Sequence, residues 1–230
     1  MELTVNGKDY PVECLRGRGR SSSVRIRDGR VVVRFGKYVW GKDRERVLTE
    51  FLKWAEKKLS EAKVDESLVP DYVDGGRIVT HNKSYLLEVR REGRERSRTV
   101  VDGDVILVLL PMEGGDVKDL VEKAIMKDQR AYLEEVVSEI NHLHFQKQYG
   151  HVRFKRMQSR FGSCSAKRNL NFAYRLLFAP REVFRYVVVH ELSHLEEFNH
   201  GANFWRLVEE AMPRYREAEK WLKKSGFMLG

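Results

Sequence analysis

His190-Glu191-Leu192-Ser193-His194, followed by His200, sets two imidazoles four residues apart and a carboxylate beside the first. An α-helix turns once in 3.6 residues, so positions i and i+4 share a face and both rings can converge on one ion. This is the ligand spacing of a hydrolytic zinc site: imidazoles hold the metal, an open position takes water, and a glutamate serves as general base. The chemistry expected is hydrolysis by metal-activated water, with Zn2+ as cofactor and Glu191 as catalytic base. The flanking Val187, Val188, Val189, Leu192 and Leu195 are apolar. Two histidines and a glutamate among them would be costly to bury without a metal or a charged partner.

The third ligand has to come from off the helix face, because a further residue on that face lies too far along the axis. His200 suits if the helix ends near Phe198, with Asn199 tolerating a left-handed conformation and Gly201 permitting a bend. Its spacing equals that of the metzincin pattern, but Glu197 stands where that pattern has glycine, so the metzincin turn is not expected. The rival is a carboxylate on the following helix, for which Glu209, Glu210 and Glu217 are the candidates.

Those groups need a scaffold, and the chain reads as α+β: a strand-rich N-terminal region, residues 1–115, followed by a minimal zincin-like helical core with a small antiparallel sheet, residues 116–230. Asn6-Gly7 and Asp28-Gly29 predict tight hairpin turns, with strands over Ser23 to Arg27 and Val31 to Phe35. Val47, Phe51, Leu52, Trp54, Ala55 and Leu59 form an apolar stripe at helical spacing. Tyr10-Pro11-Val12-Glu13 resembles Tyr85-Leu86-Leu87-Glu88 at a shift of 75, and Asp28-Gly29-Arg30-Val31 resembles Asp102-Gly103-Asp104-Val105 at a shift of 74. Two copies of a strand-rich unit, each ending in a helix, are one reading; chance similarity of short hairpins is the other. Gly114-Gly115 then breaks the pattern. Apolar residues from Val117 to Ile140 recur at helical steps, with Gly150 read as the stop. Val152 to Gln158 and Asn169 to Leu177 read as strands around a Gly-Ser-Cys-Ser turn. Pro180 opens the helix of the histidines.

With 230 residues, 42% hydrophobic and 33% charged, the chain can bury a proper core. Its longest apolar run, near Val105 to Met112, is too short to cross a bilayer. Met1 to Thr4 lacks a secretory start, and Cys14 and Cys164 read as free thiols, so a cytoplasmic location is expected. The net charge of +9 reads as a solvated surface with acidic residues interspersed; the sharper alternative is attraction to a nucleotide or nucleic acid.

Other chemistry-bearing residues have plainer readings. Arg16-Gly17-Arg18-Gly19-Arg20-Ser21-Ser22-Ser23 could cradle phosphate or RNA, but no helix start follows, so a flexible basic loop is expected. His142 and His144 point to different sides of a helix, and His151 stands alone. Cys164 is read as a half-buried turn residue rather than a thiolate ligand. Tyr174, Tyr215 and Arg160 are candidate oxyanion donors that spacing cannot place, and Phe204 and Trp205 are expected in the core.

From about Arg153 to Leu222 the chain resembles the YgjP-like metallopeptidase family, relatives of the SprT-like and WLM zinc peptidases. The resemblance rests on Ser159-Arg160-Phe161-Gly162-Ser163-Cys164-Ser165, Asn169-Leu170-Asn171-Phe172, Tyr186 to Leu195, Asn199-His200 with Phe204-Trp205, and Met212-Pro213 with Trp221-Leu222. The family usually has Trp-Gly-Ser-Cys where this chain has Phe161-Gly162-Ser163-Cys164. Arg20 to Val24 with Asp28-Gly29 resembles the family's amino-terminal hairpin. The resemblance implies a zincin core with His190, His194 and His200 as ligands and Glu191 as base. It also implies that the strand bearing Asn169, Asn171 and Phe172 lies along the cleft, where an extended peptide could pair with it. The expected activity is therefore a zinc metallopeptidase acting on peptide or protein. The alternatives are a metal-dependent nucleotide pyrophosphatase and a SprT-like protease associated with nucleic acid.

Overall fold

The computed structural model describes residues 1–27, 29–61, 70–93, 95–157 and 159–229. The chain divides into two compact units: Met1–Val64 with Lys220–Gly230, and Asp65–Glu219. This division does not coincide with a boundary at 115/116, because the second set of strands falls in the same unit as the histidine helix.

In the first unit, β1 (Glu2–Val5), β2 (Lys8–Arg16), β3 (Ser23–Arg27) and β4 (Arg30–Phe35) form a sheet in the order β1-β2-β4-β3. Asn6 and Gly7 both take positive φ, 53° and 77°, as a two-residue type I′ turn between Val5 and Lys8 requires. Gly29 also has positive φ; its predicted turn partner Asp28 lies outside the described residues. Helix α1 (Gly41–Glu61) packs its stripe on the sheet: Ala55 and Leu59 are buried, with Val47, Phe51 and Leu52 half-buried around them. Trp54 is 40% exposed and so is not part of that stripe.

The second unit repeats the plan. Strands β5 (Arg77–Val79), β6 (Ser84–Arg91), β7 (Arg98–Asp102) and β8 (Val105–Leu110) are ordered β5-β6-β8-β7. Apart from Leu86↔Val105, the pairings in this sheet equal those in the first sheet displaced by 75 residues: Leu3↔Tyr10 becomes Ile78↔Tyr85, Val12↔Val31 becomes Leu87↔Ile106, and Ser23↔Arg34 becomes Arg98↔Leu109. Both sheets join a parallel central pair to two antiparallel edges. Matching positions are buried in both, with Val31, Val33 and Phe35 mirrored by Ile106, Val108 and Leu110. The shift of 74 at the Asp-Gly turns is a one-residue slip. Gly103 supplies positive φ at the first central position of the second turn, whereas Gly29 lies at the second position of its own.

Beyond the second sheet the expected single long helix is two, α2 (Val117–Asp128) and α3 (Arg130–Ile140), separated at Gln129. Asp116 caps α2 by accepting from the Asp119 backbone N–H. A π-helical turn, Asn141–Phe145, follows. Gln146, in the left-handed region, ends it by donating its N–H to the Asn141 carbonyl at 2.6 Å, so the stop precedes Gly150.

A third sheet stands beside the histidine helix: β9 (Val152–Lys155), β10 (Gly162–Cys164) and β11 (Leu170–Ala173), in the order β10-β11-β9. The Gly-Ser-Cys segment expected to be a turn is thus a strand, and the sheet expected to be antiparallel has one parallel ladder, β11 with β9. The strands are shorter than expected, and Gln158 lies outside the described residues. A 3₁₀ turn, Tyr174–Phe178, leads into α4 (Arg181–Ser193), which Pro180 precedes at the N-cap. Helices α5 (Ala202–Ala211) and α6 (Tyr215–Ser225) complete the order before a last 3₁₀ turn. No helix among the described residues is long and apolar enough to cross a membrane.

Candidate metal centre

Helix α4 carries His190 on its last turn, and His194 is its C-cap. The helix stops there, not near Phe198. Leu195 N–H bonds to the Leu192 carbonyl, and those of Glu196 and Glu197 bond to Ser193, at 2.9 to 3.1 Å. This tight turn sends the chain back. Had the helix run on, His200 would stand about 15 Å along the axis from His190. Neither Asn199 nor Gly201 uses positive φ; the bend at His200 is closed by Gly201 N–H donating to the Asn199 carbonyl at 2.8 Å.

The result is convergence. One ligand atom from each of His190, His194 and His200 lies within 4.8 Å of the others, and the Nε2 atoms of His190 and His200 are 3.1 Å apart. His194 Nδ1 lies 3.0 Å from the Glu197 carbonyl. A carbonyl only accepts, so Nδ1 carries the proton and Nε2 keeps its lone pair for an ion. Glu197 thereby fixes a tautomer through its backbone. Phe204 is fully buried beneath all three rings, with centroids 4.6 to 4.9 Å away. Trp205 lies over His200 and stacks on Tyr215, which stacks on Tyr186. Burial, and the neighbouring imidazoles, lower the His190 pKa to about 3. Burial also lowers that of His194. Both therefore stay neutral, the form that binds a metal.

Glu191 is 4% exposed. Its Oε2 has no hydrogen-bond partner among the described residues. Burial raises its pKa to about 8, against the opposing pull of the Cys164 backbone N–H and the charge of Arg160. The carboxylate fits this space because residue 162 is glycine: a Cβ there would lie 2.6 Å from Glu191 Cγ and closer still to Oε1. A buried, half-unsatisfied carboxylate beside three converging imidazoles is the donor set expected around an ion with a water ligand. The residues present therefore fit a divalent metal.

The family model of the YgjP-like metallopeptidase domain matches residues 20–225. The chain belongs to this family. The match supports a metallopeptidase, a family that implies a metal ion and suggests peptide or protein substrates. Among solved structures, the YgjP-like chain is similar to the metallopeptidase zymogens of Pyrococcus abyssi abylysin and Methanocaldococcus jannaschii jannalysin. Abylysin is 23% identical, with 40% of this chain and 93% of that one covered and a TM-score of 0.37. Jannalysin is 21% identical over the same shares, with a TM-score of 0.35. A comparison with curated proteins gives no match.

The other candidates of the YgjP-like sequence separate clearly. Glu210 and Glu217 pair with Arg206 and Arg214, and neither they nor Glu209 joins the imidazole group. Asn171 is buried between Arg153 and Ser163, and Phe172 is fully buried. Asn169 Oδ1 accepts the His151 backbone N–H, holding a loop. These three serve the sheet, because β11 is its central strand and is paired on both edges. The edge strands are β10 and β9, and β10 is the one that meets Glu191. Phe161 and Ser165 bond inward to β11 through Ala173 N–H and the Asn169 carbonyl. The backbone groups of Gly162 and Cys164 therefore face outward, and the N–H of Cys164 meets Glu191. Cys164 is half-buried, as expected, and burial raises its thiol pKa. Tyr174 donates to buried Glu122, which also takes Arg156 Nε at 2.7 Å, so it is locked in a structural pair. Gly162 and Phe204 shape the centre without ligating, and no spacing pattern marks such residues.

Proposed function

We propose that the centre is a zinc peptidase site, with His190, His194 and His200 as ligands and Glu191 as general base. The observation that carries this reading is the unpartnered Oε2 of buried Glu191 beside three converging ring nitrogens. Three imidazoles suit zinc among the common divalent ions. When bound, such an ion acidifies water towards neutrality and polarises a carbonyl. Glu191 then does the proton work. Its buried position makes it a strong enough base to hold the proton of the attacking water and pass it to the leaving amine. Phe204 and Trp205 keep the imidazoles in place and limit bulk water. The outward backbone groups of β10 other than the Cys164 N–H, which Glu191 takes, offer an extended peptide an edge to pair with.

The test joins metal analysis with cleavage of an unfolded protein such as casein. Zinc should copurify near one ion per chain. Glu191→Gln should keep that zinc and lose on the order of 10²–10⁴ in kcat. Zinc-loaded protein that cleaves no peptide in a broad substrate screen refutes the reading. The phosphoanhydride alternative rests on the chain's positive charge. The unit that holds the centre, Asp65–Glu219, has 24 basic and 25 acidic residues and does not contain that excess.

A further inference from the structure

The excess lies wholly in the first unit, Met1–Val64 with Lys220–Gly230, which has 19 basic residues against nine acidic. Within it, residues 14–44 hold ten basic residues and only Asp28 and Asp43. The interspersion of charge expected for the whole chain fails here. The duplicated sheet supplies an internal control. The same stretch of the second copy, residues 89–119, has six basic and seven acidic residues. The strand register is identical, so the fold does not require this charge. The copies differ in aromatics too: Tyr38 and Trp40 correspond to Glu113 and Gly115.

Structure gathers these residues at one end of the first sheet. The parallel strands β2 and β4 finish side by side, Arg16 opposite Phe35. The loops leaving them are tied together. Gly17 N–H donates to the Phe35 carbonyl at 2.7 Å, Lys37 N–H to the Gly19 carbonyl at 2.8 Å, and Gly36 N–H to Ser22 Oγ at 2.9 Å. Gly36 runs so close to the Arg20 backbone that a Cβ has no room. The Arg-Gly loop is thus pinned against the aromatic loop. The Arg16 guanidinium lies 3.9 Å from the Trp40 ring centroid and Lys37 Nζ 5.4 Å from that of Tyr38. Both rings remain open to solvent, Tyr38 at 64% and Trp40 at 58%. Arg18 and Arg20 are exposed as well. Among the described residues, the acidic group of this surface, Asp43, is taken by Arg46 at 2.9 Å.

Unneutralised cations call for a polyanion. Flat rings held among them, exposed at a hydration cost, call for something to stack. Phospholipid headgroups offer charge without planar faces, an acidic peptide does not supply a planar face with each charge as a nucleotide does, and a duplex hides its bases. We propose that this surface binds single-stranded nucleic acid, with phosphates on Arg16, Arg18, Arg20 and Lys37 and bases stacked on Tyr38 and Trp40.

Fluorescence anisotropy on the full, metal-loaded chain tests this. The probes are labelled oligo-U and oligo-dT of about 20 nucleotides, a duplex of equal length, and vesicles rich in anionic phospholipid. Either single strand should bind more tightly than the duplex, with oligo-U against oligo-dT reporting the contribution of the 2′-hydroxyl. Tyr38→Ala with Trp40→Ala should weaken single-strand binding on the order of ten-fold per ring and erase the preference over duplex. Tyr38→Phe with Trp40→Phe should restore it, which separates stacking from a folding defect. Arg18→Glu with Arg20→Glu should lower both affinity and the steepness of its salt dependence, by roughly 0.7 in log–log slope for each phosphate no longer neutralised. Absence of binding at low salt overturns the proposal. So does duplex binding as tight as single-strand binding and indifferent to the rings, or a preference for vesicles.

Discussion

Gly162 decides whether the base can occupy its place, although it contributes no functional group. A methyl at this position would overlap Glu191 Cγ and Cδ, 2.6 and 2.7 Å away, so the Glu191 side chain or the strand bearing residue 162 must shift. Displacements of about 1 Å at a reacting group cost on the order of 10²-fold. Gly162→Ala should therefore keep the bound metal, measured by elemental analysis, and lose about that much kcat on peptide substrate. His81 carries a second prediction, away from the centre. It lies 3.0 Å from the Tyr132 hydroxyl and against Phe184. Burial, helped by the charge of Arg181, lowers its pKa below the ordinary histidine value of 6.5. The unfolded chain thus takes up this proton first, so the stability this site contributes is present above pH 6.5 and lost as pH falls below it. Melting temperature should drop on acidification through this window, and less steeply in His81→Phe. At this scale the candidate pair His190 and His194 was legible, because their spacing puts both on one helix face; His200 reaches them only through the turn that follows Ser193. Gly162 and Phe204 were not legible. A missing side chain leaves no signal, and a phenylalanine under a site reads like any core residue.

Short elements were the least legible. β10 has three residues, too few for alternation to register, and its Gly-Ser-Cys composition speaks for a turn. Its pairing with β11 is set by tertiary context. That pairing moves the available edge away from Asn169, Asn171 and Phe172 and onto the strand touching Glu191. The end of α4 lies five residues before the expected one: no helix breaker between Ser193 and Phe198 marks it, and the tight bonds from Leu195, Glu196 and Glu197 N–H back to Leu192 and Ser193 make the stop. The stripe of α1 was legible from period, and α4 from Pro180 and the spacing of its histidines. Helix α5 owes its apolar stripe to Phe204, fully buried against three imidazoles. Phe204→Ala should cost about 3–5 kcal/mol in denaturant unfolding. It should also loosen the metal, read by competition with a chelator, because the rings lose the wall that orients them.

At the scale of the whole molecule, the repeat written weakly in Tyr10 to Glu13 and Tyr85 to Glu88 is an architectural duplication with one register throughout. The sequence shows so little of it because backbone pairing keeps topology while side chains drift: between β4 and β8 only Val33 and Val108 are the same residue at matching positions. The place where the units divide was not legible for a related reason. The second sheet has the strand plan of the first, and its packing against α2, with bonds such as Tyr85 to Asp128 and His81 to Leu177, assigns it to the half that holds the histidines.

Two ribbons that obey one hydrogen-bonding address can, during synthesis or refolding, read each other's address. A nascent β2 could lie alongside β8 as readily as alongside β4 if backbone geometry were the sole arbiter, and neighbouring chains could trade whole ribbons. Divergence is the safeguard. With arginines at the first and fifth positions of β4 and only aliphatic residues in β8, an exchanged ribbon would bring guanidinium groups to positions where its counterpart carries valine and leucine.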